Sequence, residues 1–209
     1  MNSIMEIESL SGHPFEICSI SNLYSNDEID SYIKLIDDIS TKENCFNTRD
    51  IYKKIKRRDP IHSELIFSRI KRLLPEFYLD RKGIKWEIYG VSDYIHYSHI
   101  KENEMIGIHS DNGSVYDPNE NRYSKFTILT YLTDDFVGGE TQFYTDEGMI
   151  QIKPEKNKTI CFDIELFHEG NKVMSGNKIW IKTEVVYIKH NIITAPLYCE
   201  KNTEDYSTY

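Results

Sequence analysis

Two histidines and a carboxylate carry the chemistry this sequence suggests first. His109 and Asp111 are two residues apart in Ile108-His109-Ser110-Asp111-Asn112, and His168 follows much later in Leu166-Phe167-His168-Glu169-Gly170. At the end of an extended strand, residues i and i+2 project the same way, so His109 and Asp111 can enter one cavity while a distant strand supplies His168. Two imidazoles and one carboxylate on one face of a metal ion leave three adjacent positions open. That suits iron(II), which can then hold a bidentate co-substrate together with oxygen. A closed zinc site needs four protein ligands, usually with thiolates among them, and no cysteine is placed for one. Taken alone, His-x-Asp also fits an ordinary polar strand end, so the residues downstream have to decide.

Lys178 lies ten positions beyond His168 and opens the strand-like run Lys178-Ile179-Trp180-Ile181-Lys182. A lysine buried in a barrel is costly without an anion, and the far carboxylate of a dicarboxylate would be such a partner. Tyr131 in Thr130-Tyr131-Leu132 and Tyr97 in His96-Tyr97-Ser98 are candidate hydroxyl donors to that carboxylate and to the pocket wall. Plainer readings stand beside these: a surface lysine on an edge strand, and core tyrosines whose hydroxyls bond elsewhere. Lys182 has the same strand parity as Lys178 and is the second candidate for the anion. His96 and His99 read as hydrogen-bonded bystanders and stay outside the candidate set.

These residues need strands to carry them. From Gly83 onward the sequence predicts strands over Ile84–Tyr97, Met105–His109, Phe126–Leu132, Glu140–Tyr144, Met149–Ile152, Thr159–Ile164 and Lys178–Ile188. They are short, β-branched and aromatic-rich, with Gly, Pro, Asn and Asp between them. Gly138-Gly139-Glu140-Thr141 reads as a structural turn in which glycine supplies positive φ. The polar stretch from Asn112 to Tyr123 starts right after two candidate ligands and would sit over the metal.

Ahead of the strands, Ser25-Asn26-Asp27-Glu28 has capping-box spacing, and Ile29, Ile33 and Ile36 predict a helix to about Ile39. A second helix is predicted from Pro60, with Ile61, Leu65, Ile66, Ile70, Leu73 and Leu74 on one face and Pro75 as its stop. The basic run Lys53-Lys54-Ile55-Lys56-Arg57-Arg58 reads as a solvated face, with a substrate-facing loop or a nuclear-localisation signal as alternatives. Helices followed by strands predict an α+β domain with a jelly-roll core. Residues 1–83 would be a helical support integral to that domain, 84–190 the β core and 191–209 a polar tail.

At 209 residues the chain suits one domain. A net charge of −9 argues against nucleic acid as the main partner. The apolar runs are too short to span a bilayer, and the N-terminus lacks the pattern of a secretory signal. Cys18, Cys45, Cys161 and Cys199 are scattered and read as free thiols in a reducing compartment, so a cytoplasmic protein with no membrane partner is expected.

The ordered run Tyr97…His109-x-Asp111…Leu129-x-Tyr131-Leu132…Gly138-Gly139-Glu140-Thr141-x-Phe143…His168-Glu169-Gly170…Gly176-Asn177-Lys178 resembles the 2-oxoglutarate/Fe(II)-dependent dioxygenases of the prolyl 4-hydroxylase type. The resemblance covers roughly Trp86 to Tyr187. It implies a double-stranded β-helix with N-terminal supporting helices, and iron held by His109, Asp111 and His168. Lys178 sits where the family places its basic anchor for the 2-oxoglutarate 5-carboxylate, as lysine in the collagen-type and algal-type enzymes and arginine in many others. Tyr131 matches the family's tyrosine donor to that carboxylate, and Tyr97 a pocket tyrosine. Fe(II), the co-substrates 2-oxoglutarate and O2, and ascorbate as an optional addition are the implied cofactors.

A peptide or protein substrate is the implied partner, with peptidyl proline as the site of hydroxylation. Peptidyl lysine, a small molecule, or a jelly-roll binding module without turnover are the alternatives. One departure stands out: Lys172 replaces a common proline. The segment Lys182-Thr183-Glu184-Val185-Val186-Tyr187 resembles an Arg-Thr-Asp run of small microbial and viral-type members.

Overall fold

The computed structural model describes residues 5–13, 15–42, 53–111 and 121–189. In chain order the elements are β1 (Ile7–Ser9), β2 (Ile17–Ser21), α1 (Asn26–Lys42), β3 (Lys53–Arg58), α2 (Pro60–Ile70), β4 (Phe77–Leu79), β5 (Lys85–Val91), β6 (Tyr94–Lys101), β7 (Ile106–His109) and β8 (Arg122–Tyr131). After these come β9 (Val137–Gly138), β10 (Thr141–Thr145), β11 (Gly148–Ile152), β12 (Lys158–Asp163), β13 (Phe167–Gly170), β14 (Val173–Ser175) and β15 (Asn177–Lys189).

The predicted capping box forms, and α2 has a cap that was not predicted. Ser25 N–H donates to Glu28 Oε2 at 2.8 Å and Glu28 N–H to Ser25 Oγ at 3.2 Å, a reciprocal capping box. Asp59 caps α2 by accepting from His62 N–H at 3.0 Å, with Pro60 opening the helix, where its missing N–H costs nothing. The predicted apolar face of α2 packs on the core except at its first turn, with Leu74 buried and Leu65 and Leu73 partly buried beyond Ile66 and Ile70. Ile66 and Ile70 are buried beside His62 and Ser63, while Ile61 is 84% exposed. In the first turn the sheet beneath accepts His62 and Ser63, so Ile61 points outward.

Strands account for about half of the described residues. A large antiparallel sheet runs β1-β2-β12-β8-β15-β5-β4, with β6 also on β15 and β3 on β6. A smaller sheet runs β11-β10-β13-β7, and β9 pairs β14. Residues 1–83 therefore supply four strands as well as the helices, and are more than a helical support. The run predicted as one strand over Ile84–Tyr97 is two, lying end to end along β15. β5 pairs Trp86 to Val91 with the far end of β15, β6 pairs His96 to Lys101 with its near end, and Ser92 and Asp93 bulge out between them. A bulge of this kind bends the strand and curls the sheet.

Strand parity then divides the core in two. One face of the large sheet packs Ile95, Tyr97, Ile128, Ile179, Ile181 and Val185 against Ile29 and Ile36 of α1 and Ile66 and Ile70 of α2. The other packs Leu129, Tyr131, Ile160, Phe162 and Trp180 against Phe143 and Ile152 of the small sheet. Each such side chain contributes about 1.5–3 kcal/mol relative to exposure. Two antiparallel sheets sharing a core, one of them curled, make a jelly-roll-like arrangement.

Cys18 and Cys161 are free, buried thiols opposite each other on β2 and β12. Among the described residues no helix is long and apolar enough to cross a membrane. The loop expected from Asn112 falls largely outside the described residues (112–120), as do the tail, Cys45 and Cys199.

Candidate functional site

His109 closes β7 and His168 lies on β13, and these two strands place them directly opposite one another. The rings stand 4.3 Å apart between centroids. Each histidine bonds through Nδ1 to the carbonyl two residues before it: Gly107 O at 2.9 Å for His109, Leu166 O at 3.0 Å for His168. An Nδ1–H donated to a carbonyl fixes the tautomer and leaves Nε2 as a lone-pair donor. Both Nε2 atoms face Asp111, from His109 at 3.7 Å to Oδ1 and from His168 at 3.9 Å to Oδ2. One ligand atom from each of the three residues lies within 4.8 Å of the others.

The surroundings set the protonation state such a donor set needs. His168 is buried against Phe143 and Phe162. Burial pushes its imidazole down to about 4, partly opposed by the Asp111 carboxylate, so it is neutral at pH 7. Burial would raise Asp111, but Lys182 and His168 outweigh it and hold the carboxyl down at about 2. Lys182 Nζ donates to Asp111 Oδ1, and Thr127 Oγ1 donates to Oδ2 at 2.7 Å.

The three residues open on a cavity of about 320 Å³, also lined by Thr141, Trp180, Lys178 and Lys182. Lys178 is on a central strand, 3% exposed, and not at a sheet edge. Its ammonium donates to Gly139 O at 2.6 Å and lies 5.3 Å and 5.4 Å from the ring centroids of Tyr131 and Trp180. Burial lowers it to about 7, with Glu140 pulling the other way. Tyr131 is fully buried in the inner core, and its hydroxyl lies 2.5 Å from Thr141 Oγ1. It reaches the cavity through that threonine and does not line it.

Tyr97 is elsewhere. His96 and Ser98 take the cavity side of β6, so Tyr97 faces the helices, with its hydroxyl 3.0 Å from His62 Nδ1 and donating to Asp59 at 3.2 Å. The expected pocket tyrosine at 97 is excluded by strand parity. Lys182 is not the deep anion partner either, because Asp111 holds it. Sequence reasoning missed Thr127 and Thr141, which serve Asp111 and Tyr131. The signal for Thr127 was its parity with Leu129 and Tyr131 on β8.

Gly138 and Gly139 adopt φ +78° and +69°, as the turn required. Gly139 does more than turn the chain, since its carbonyl holds Lys178. A Cβ there would meet Phe136 Cε2 at 2.9 Å, Val173 Cγ2 at 3.1 Å and Lys178 Cδ at 3.3 Å. Gly139→Ala is expected to cost about 1–3 kcal/mol through backbone strain and crowding. A denaturant midpoint measures this, and the variant should also disturb any ligand held by Lys178. A midpoint unchanged from wild type would contradict this account of the turn.

Residues 94–183 match the family described as the 2OG-Fe(II) oxygenase superfamily. Solved structures share the fold at low identity. A prolyl hydroxylase from Trichoplax adhaerens, in complex with a hypoxia inducible factor oxygen degradation domain peptide fragment, superposes with TM-score 0.62 at 16% identity, over 82% of this chain and 83% of that one. A Pseudomonas putida prolyl-4-hydroxylase gives 0.58 at 10% identity, over 82% and 92%. The viral collagen prolyl hydroxylase of Paramecium Bursaria Chlorella virus-1, in its 2OG complex, gives 0.54 at 19% identity, over 83% and 96%. No curated protein sequence matches the chain. The matched segment runs from the start of β6 into β15 and contains the His–Asp–His group, Tyr131 and Lys178. Through this segment, which is less than half of its length, the chain is similar to the 2OG-Fe(II) oxygenase superfamily.

Proposed function

We propose that His109, Asp111 and His168 hold Fe(II), that Lys178 anchors 2-oxoglutarate, and that the enzyme hydroxylates a peptidyl proline. The observation that carries this reading is the convergence of two oriented Nε2 atoms and one ionised carboxylate on a cavity with a buried ammonium in its wall. Neutral imidazoles and a carboxylate fit a ferrous ion, and with three protein donors they leave room for a chelating co-substrate. When bound, the iron and its co-substrates supply the oxidising chemistry that places a hydroxyl on carbon.

The chain's own residues do the rest. An ammonium has three donors, so Lys178 can keep Gly139 O and still take the far carboxylate of 2-oxoglutarate. The Thr141 hydroxyl, backed by Tyr131, is a second donor to it. Leu129, Ile106 and Trp180 give the cavity apolar wall that excludes water. Peptidyl proline is supported by the shared fold of the prolyl hydroxylases named above, one of them bound to a peptide.

The test is to incubate the iron-loaded chain with 2-oxoglutarate and a peptide library, then seek a gain of one oxygen matched by succinate. Oxygen on proline is expected. Oxygen on lysine would move the substrate class, and peptide retention without succinate would favour a binding module. Failure of N-oxalylglycine, a 2-oxoglutarate mimic, to bind would end the co-substrate reading.

A further inference from the structure

Three histidines line the cavity, and two of them are the ligands proposed above. The third, His96, reads from sequence as a hydrogen-bonded bystander, yet its Nδ1 is buried and has no hydrogen-bond partner. Buried polar atoms are nearly always paired, so an unpaired one in a cavity wall calls for a ligand. His99 shares the unpaired Nδ1, but it pairs with Ile179 on the helix side of the sheet. Its Nε2 is already bonded to Asn177 Oδ1 at 3.0 Å. Only His96 meets the cavity.

Register fixes where it stands. Ile100 pairs with Lys178, Ser98 with Trp180 and His96 with Lys182, so three rows cross the inner face of β6 and β15. At a rise of about 3.3 Å per residue, the Lys178 and Lys182 rows are ~13 Å apart. The first row is the co-substrate anchor. The last is the metal's own, since Lys182 donates to Asp111 and His96 lies beside Lys182 across the strand pair. A co-substrate stretched from the metal to Lys178 runs away from His96, which leaves that end of the cavity to the substrate.

The surroundings choose the tautomer of the ring. Burial, then Lys54, Lys182 and Lys56, push the imidazole down to about 3, with Asp111 opposing, so it is neutral at pH 7. Lys54 and Lys56 belong to β3, where Lys56 pairs directly with His96. A neutral ring has one N–H and one lone pair. An orphaned buried N–H is the rarer defect, and nearby ammonium groups favour a lone pair, so the buried Nδ1 is the unprotonated nitrogen. Nε2 then carries the proton and faces the cavity. In His109 and His168 the arrangement is reversed, because carbonyls hold their Nδ1–H groups. The two ligands present lone pairs; His96 presents a donor.

We propose that His96 is a specificity residue whose Nε2–H donates to the carbonyl oxygen of the residue preceding the hydroxylated proline. The inference rests on the peptidyl-proline reading and deepens it. Proline's amide nitrogen carries no hydrogen, so the peptide bond before the ring offers an acceptor and no donor. A donor on the wall is the complementary group. Trp180, one row closer to Lys178, adds apolar wall for the pyrrolidine ring.

The test titrates the full chain, loaded with Mn(II) and N-oxalylglycine, with labelled proline peptides in amide and thioamide forms. The thioamide puts sulfur, a weaker acceptor, in place of the one carbonyl oxygen before proline. Wild type should bind the amide on the order of tenfold tighter than the thioamide. His96→Phe should bind both forms alike and weakly. His96→Gln, whose side-chain amide keeps a donor, should recover part of the preference. N-oxalylglycine affinity should be the same in all three proteins, because its anchor lies in a remote row. Circular dichroism melts check folding, and His96→Leu repeats the comparison if His96→Phe melts early.

A wild type that binds both peptide forms equally, or a preference that survives in His96→Phe, overturns the inference and leaves the peptidyl-proline reading standing. Loss of N-oxalylglycine affinity in His96→Phe assigns the ring to the co-substrate and overturns the inference as well. A wild type that takes up Mn(II) and N-oxalylglycine but binds no proline peptide refutes the peptidyl-proline reading, and this inference with it.

Discussion

Asp111→Ala should lose bound metal and 2-oxoglutarate turnover together, and it should lose stability as well. The carboxylate is the anionic member of the grouped donors, and it also neutralises Lys182, whose side chain is only 15% exposed. Removing it leaves that ammonium and the Thr127 hydroxyl without their acceptor. Breaking a buried pair costs about 3–5 kcal/mol, and the partial solvent access of Lys182 puts this case at or below the lower end. Turnover should fall by more than the roughly 10–100-fold that outer-shell partners cost, because a direct ligand is gone.

Asp111→Ala combined with Lys182→Met separates the two roles. Most of the lost stability should return, since no unpaired charge remains, while Mn(II) binding measured by electron paramagnetic resonance stays absent. Metal retained by Asp111→Ala would refute the ligand assignment. A double variant no more stable than the single one would refute the account of Lys182.

Lys178→Met is expected to act in opposite directions on binding and stability. A hydrogen bond to a charged group contributes about 1.5–3 kcal/mol, so 2-oxoglutarate affinity should fall by one to two orders of magnitude. Methionine keeps the apolar stem and removes a buried ammonium, so the fold should be unchanged or more stable. Loss of both binding and stability would mean that Lys178 is structural.

The ammonium also predicts a pH dependence. Burial lowers Lys178 to about 7, and it must be charged to meet a carboxylate. Above that value binding has to take up a proton, and affinity should decline by up to about tenfold per pH unit. Below it, no uptake is needed. Calorimetry in buffers of different ionisation heat should therefore show proton uptake near pH 8 and little near pH 6, and uptake should be absent in Lys178→Met. Stability has its own sign. The folded value lies below the ordinary 10.5, so the native chain loses stability as pH falls from about 10.5 to 7, and the variant should not.

What the sequence determined by itself is local. His109 and Asp111 share a direction because i and i+2 always do on an extended chain. The capping box at Ser25, the proline at the start of α2 and the glycines before Glu140 follow from bonds and torsions within a few residues, and each appears where expected. Strand content from Lys85 onward was legible in alternation and β-branching. The ordered motifs from Tyr97 to Lys178 pointed to the family before any coordinates did.

Only the tertiary structure decided what depends on pairing across the chain. The bulge at Ser92 and Asp93, the turning of Tyr97 towards His62, and the burial of His62 where Ile61 was expected are choices made by neighbouring elements. No periodicity in one segment records them. The same holds for the two lysines of β15. Four residues apart and identical in parity, they are told apart by what lies opposite: a glycine carbonyl for Lys178, a carboxylate for Lys182. The basic run became the edge of the cavity wall because β6 offered it a partner. Local chemistry could name the charged groups, but long-range register assigned each its counterpart.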